Sequence, residues 1–261
     1  MKPRHLIVFC VLVILCIVTF FIFEIGHIQI FTDDTMNWMF GVTIFKLACI
    51  FLLVFILWRN FSKRTFDIRN GSAKGLIWSL PCLILVLVSF PYSALISGEA
   101  SITRTDLIPM FIVFILASAL FEELLFRGFI ISYIEKQLAF RSYQNIKIVL
   151  ISAIIFALFR FTNLINGADI LLVLFEVGYT FLLGCMYGTL YIKTKNIWIC
   201  FLFHAIFDFG TKFVNYLGVG NPWDIVYWLL IAICGVGCAI YIVLTLLKMD
   251  NRNYMGKEKG Q

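Results

Sequence analysis

The sequence predicts an all-α fold: a polytopic membrane helix bundle of about eight transmembrane helices. Three observations lead there. Of 261 residues, 62% are hydrophobic and only 14% charged, with a mean hydropathy of +0.97, whereas soluble domains are nearer half apolar and a quarter charged. Apolar runs long enough to cross a bilayer recur along the whole chain. Lysine and arginine concentrate in alternate loops.

The runs lie at 6–23, 38–58, 76–96, 107–127 (extendable to 134), 146–161, 170–191, 197–213 and 223–247. The first runs unbroken from Leu6 to Phe23. It is longer than a signal-peptide core and lacks a small-residue cleavage site, so it reads as an uncleaved span. The second carries Lys46, which with Glu176 of the sixth reads as a structural ion pair, as contacts to backbone, or as part of a pathway. Pro81 and Pro91 bracket much of the third and predict a kink there. The fourth ends in the densest group of charges in any run. The fifth and seventh are shorter, with less certain ends. In the sixth, Gly184 and Gly188 allow close approach of a neighbouring helix, within the chain or in a homo-oligomer. Trp38, Trp58, Trp78, Trp198 and Trp223 sit near span ends, as an interfacial belt does, and Glu24 and His27 fall at the outer interface.

Placing the N-terminus inside puts 17 of the 21 lysines and arginines on one side, including Arg127. Arg104, Arg160 and Lys212 fall on the other, and Lys46 lies within a span. Both termini are therefore expected in the cytoplasm. The net charge of +6 has its source in this bias, so membrane lipid and no nucleic acid is the expected partner. No long polar stretch interrupts the runs, and 1–261 reads as a single membrane domain. Most of the eight cysteines lie inside apolar runs without metal-type spacing, which makes them small buried hydrophobes.

Ionisable groups in hydrocarbon are costly unless paired or wet, so they mark candidate sites. Glu122, Glu123 and Arg127 form the first cluster. Glu123 and Arg127 are four apart and share a helix face, whereas Glu122 points about 100° away. Glu122 then reads as a general base holding a water, as part of an interhelical ion network, or as a transport site. His204 and Asp208, also four apart, form the second cluster. They read as catalytic partners or as a buried hydrogen-bonded pair. A zinc site from Glu122, His204 and Asp208 is disfavoured because His5 and His27 lie elsewhere; no metal and no cofactor is expected.

These motifs resemble the CPBP family, which comprises the type II CAAX prenyl endopeptidases and the bacteriocin-processing or immunity (Abi) proteins. Its signature is Glu-Glu-x-x-x-Arg, then Phe-x-x-x-His, then His-x-x-x-Asn/Asp. Glu122, Glu123 and Arg127 match the first motif, with Phe126 and Gly128 in familiar places, and His204 and Asp208 match the third. The stretch from Gly184 to Trp198 is similar to the family's lead-in, and the likeness spans a core of about 107–215. The resemblance implies an intramembrane glutamic endopeptidase. Glu122 would activate water for attack on a membrane-associated peptide or protein, and His204 and Asp208 would orient or stabilise the oxyanion. Glu123 and Arg127 would hold the fourth helix, in a multi-pass protein of a bacterial cytoplasmic membrane.

Two positions depart from the pattern. Phe156-x-x-x-Arg160 carries arginine in place of histidine, and a guanidinium takes no proton. Arg160 either tunes Glu122 as its counter-ion or snorkels to the outer interface. Asp208 accepts where asparagine would also donate. Counting 1.5 Å per residue puts Arg160 roughly 10 Å nearer the outer face than Glu122. The alternative function is a non-proteolytic relative acting in bacteriocin immunity or as a membrane scaffold or regulator.

Overall fold

A computed structural model describes residues 29–60, 72–137, 143–164 and 167–258. The first expected span, with Glu24, His27, Cys10 and Cys16, lies outside them, as do Lys63, Arg64 and Arg69 of the second loop. Among the described residues, seven helices have the length and apolarity to cross a membrane: Asp34–Arg59, Ile77–Ser97, Thr105–Lys136, Gln144–Leu164, Ile170–Thr194, Ile197–Leu217 and Ile225–Asn251. They correspond in order to the second to eighth apolar runs, and the protein is a polytopic, all-helical membrane bundle.

In chain order the helices are α1 (Asp34–Asn60), α2 (Ser72–Val88), the short α3 (Tyr92–Ser97), α4 (Ile108–Glu123), α5 (Ser132–Gln137), α6 (Gln144–Leu158), α7 (Ile170–Thr194), α8 (Ile197–Leu217) and α9 (Ile225–Glu258). Pro81 lies inside α2, and Pro91 stands at the cap of α3, so the proline that breaks the third span is the second one. Between α4 and α5 the chain stays helical but widens to a π-helix over Leu124–Ile131. Two three-residue strands, β1 (Ala100–Ile102) and β2 (Gly218–Gly220), pair antiparallel and tie the start of α4 to the end of α8. No sequence reading anticipated them, because three residues carry no usable alternation.

Polar side chains close the helix ends. Asp169 accepts from the Leu171 and Leu172 amides to start α7, and Asn196 accepts from Trp198 to start α8. The α6 start is closed from afar: the Asp250 carboxylate of α9 accepts from the Asn145 and Ile146 amides at 3.0 and 3.1 Å. Near the paired strands, Arg104 bridges Asp33 and Asp106. The Met36 amide and then Arg104 hold the Asp33 carboxyl below its ordinary range.

The main core runs through all seven spans, from Leu53 and Leu57 through Phe126 and Ile148 to Tyr187 and Ile242. A second cluster around Phe111, Phe114 and Leu217 lies beneath the paired strands. Outward faces stay apolar, with Phe51, Ile84, Leu171 and Ile233 exposed to the lipid. Cys82, Cys185, Cys200, Cys234 and Cys238 are free thiols. The Gly184 spacing serves an internal contact: a Cβ there would lie 3.0 Å from the Ala153 Cα of α6. Arg127 is no loop charge: it is fully buried.

Gly184→Ala should therefore destabilise the bundle by about 1–3 kcal/mol, because rigid backbone opposes the added methyl. Gly178→Ala, on the same helix with no atom within 4 Å of the new Cβ, should leave stability unchanged or slightly raised. Unfolding of the two variants in one detergent checks the contrast.

Candidate active site

Glu122 and Glu123 end the regular turns of α4, and both are buried. The π-helix that follows has a wider turn, a distortion that recurs at functional sites. It carries Arg127 into the bundle, where its Nη1 lies 3.1 Å from Glu123 Oε1. The guanidinium also lies over the rings of Phe156 and Tyr187, at 4.7 and 5.3 Å from their centroids. Gly128 permits this path, since a Cβ there would meet Leu57 of α1 at 2.9 Å.

His204 approaches from α8. Its Nδ1 is 2.7 Å from Glu123 Oε1, the same oxygen that faces Arg127. As the partner of a guanidinium, that carboxylate only accepts, so Nδ1 carries the hydrogen. Tyr187 stacks on the imidazole at 5.1 Å and 17°, and Phe156 meets it edge-on. The ring is thus fixed in plane and in tautomer. Nε2 is left facing two more carboxylates, Glu122 Oε2 at 3.7 Å and Asp208 Oδ1 at 3.7 Å. Those gaps exceed a direct hydrogen bond, but each is short enough for one water to donate to Nε2 and to the carboxylate oxygen facing it, about 2.8 Å from both.

Arg160 comes from the 3₁₀ turns Phe159–Leu164 that extend α6. Its Nη2 pairs with Glu122 Oε2 at 3.1 Å and its Nε donates to Thr180 of α7. It therefore points into the bundle and does not snorkel outward. The expected depth gap closes because the fourth and fifth spans reach further than 107–127 and 146–161, and because the side chain is long.

Asp208 has a partner the sequence reading missed. Lys212, counted there among outer charges, lies one turn on, and its Nζ donates to Asp208 Oδ2 at 2.6 Å. The i,i+4 spacing was the available signal. Tyr187 and Thr180 were also missed, and as single polar groups in apolar helices they gave none. The expected Lys46–Glu176 pair does not form. Lys46 donates to Ser118 at 2.8 Å, and Glu176 accepts from Asn163 at 2.6 Å. Both lie within membrane-length helices, but the faces that carry them do not meet.

Four elements thus bring Glu122, Glu123, Arg127, Arg160, His204 and Asp208 into one buried cluster. Glu122 and Asp208 each already accept from a cation of the chain. Among the described residues, no group of three or more His, Cys, Asp and Glu is arranged to hold a metal ion.

Residues 104–210 match the family model for Rce1-like proteins, described as type II CAAX prenyl endopeptidase Rce1-like. The matched segment contains all six residues of the cluster and bears out the likeness to the CAAX-protease family. No curated protein and no solved structure matches the chain.

Arg127→Met leaves Glu123 buried without its cation and should cost about 3–5 kcal/mol. The double variant Glu123→Gln with Arg127→Met should recover part of that loss. Unfolding in detergent measures both; wild-type stability of Arg127→Met would remove the pair from its structural role.

Proposed function

We propose that the protein is an intramembrane endopeptidase of the CPBP type. It hydrolyses a peptide bond in a membrane-associated peptide or protein, with its chemistry in the 107–215 core. The observation that carries this reading is the buried approach of Glu122 Oε2 to His204 Nε2 at 3.7 Å, a gap that one water donating to both would bridge.

In this reading Glu122 takes a proton from the water as its oxygen attacks the peptide carbonyl. His204 Nε2 accepts the second O–H and aims the nucleophile; Glu123 and Arg127 set the ring. The tetrahedral oxyanion needs donors. Arg160 has N–H groups beyond those spent on Glu122 and Thr180, and Lys212 brings to Asp208 the donor that a carboxylate lacks. Glu122 then returns its proton to the leaving nitrogen as the C–N bond breaks, giving an acid and an amine. Arginine in place of histidine thus gives Glu122 a counter-ion and supplies positive charge, but gives no second base.

One observation favours a non-proteolytic role in bacteriocin immunity or as a membrane regulator: Arg160 already occupies Glu122. Cleavage separates the two readings. Glu122→Gln in reconstituted protein should lower the rate on a quenched isoprenylated peptide by about a hundred to ten thousandfold. Arg160→His should retain or raise the rate. An unaltered rate in folded Glu122→Gln would exclude Glu122 as the base, and no cleavage by wild-type or Arg160→His protein would favour the regulator.

A further inference from the structure

Lys46 has no place in the chemistry above, and it lies outside the family-matched segment. It projects from α1 into the bundle. Its ammonium donates to Ser118 and stands 5.7 Å from the Phe114 ring centroid. Among the described residues no carboxylate forms an ion pair with it. Ser118 precedes Glu122 by one turn of α4, so the ammonium sits about 6 Å along the axis from the proposed base. Lys212, one turn beyond Asp208, lies towards the same end of the bundle. Glu122, Lys212, Asp208 and Arg160 are all within Coulombic reach of Lys46.

Arg127 pairs with Glu123, Arg160 with Glu122 and Lys212 with Asp208. Lys46 is the cation beside these pairs that has a hydroxyl in place of a carboxylate as its partner, at a depth where such a charge is costly. A serine hydroxyl and an aromatic face support that ammonium without neutralising it. Lysine suits such a post, because a compact cation on a flexible stem can swing from Ser118 to an incoming anion.

We propose that Lys46, backed by Lys212, binds a carboxylate of the substrate peptide within about two residues of the scissile bond. That reach follows from about 3.3–3.6 Å per extended residue. The subsite deepens the endopeptidase reading and rests on Glu122 as the base. The carboxylate comes from the peptide's C-terminus or from an acidic side chain.

Binding to Glu122→Gln protein in phosphatidylcholine nanodiscs tests this without turnover. The probes are three fluorescent isoprenylated peptides: one with a free C-terminus, its amide, and an amide ending in glutamate. At least one acidic form should bind about tenfold tighter than the plain amide. Adding Lys46→Gln should abolish that preference, and Lys46→Arg should keep most of it. Tight binding of the free acid alone assigns the C-terminus; tight binding of the glutamate amide assigns a side chain. Equal binding of all three, binding of none, or a preference that survives Lys46→Gln overturns the subsite. Wild-type cleavage of the same probes is read separately: Lys46-dependent binding without cleavage would sink the hydrolase reading and leave the anion site standing.

Discussion

One oxygen organises this site. Glu123 Oε1 serves a guanidinium from its own helix at 3.1 Å and an imidazole from α8 at 2.7 Å. A buried carboxylate is tolerable only when its charge is matched, and Arg127 supplies the match. With that charge settled, the carboxylate dictates which ring nitrogen of His204 holds the hydrogen. The other nitrogen is then committed to face Glu122 and Asp208. The π-helix, the rings around Arg127 and the close approach of Leu57 at Gly128 all maintain this arrangement.

The surrounding charges follow a consistent logic. Lipid cannot solvate them, so each must find a partner within the bundle. Arg160 answers Glu122 and Lys212 answers Asp208, across and along helices respectively. Arg160, where the motif has histidine, and Asp208, where it takes asparagine or aspartate, are thereby linked. A cation added at one and an anion at the other both shift the site towards fixed charge and away from exchangeable protons. Lys46 is the residue this matching leaves over.

Much of the fold was legible because a bilayer imposes length. Seven of the eight apolar runs return as membrane-length helices, since about 20 apolar residues admit few other structures. The Glu123–Arg127 and His204–Asp208 spacings were readable for the same reason that i,i+4 neighbours always are. The Arg160–Glu122 contact appeared among the alternatives, although the assumed helix ends misplaced its depth. Contacts that depend on helix rotation were not readable. Lys46 meets Ser118 across 72 residues of sequence, and nothing in either run says which faces meet. The π-helix and the paired strands are equally silent, because neither has a periodicity of its own in so few residues. Lys212 was counted only as an outer-side charge, since a cation near a span end fits a charge-bias count as well as an ion pair.

The tautomer of His204 tests the central claim most directly. Nitrogen-15 solid-state spectra of histidine-labelled protein in bilayers resolve the two ring nitrogens, and with only three histidines in the chain a His204→Gln sample assigns the signals. The account predicts that His204 carries a hydrogen on Nδ1, held there by Glu123 and no longer fixed when Glu123 becomes alanine. A hydrogen on Nε2, or a spectrum indifferent to Glu123→Ala, would contradict it.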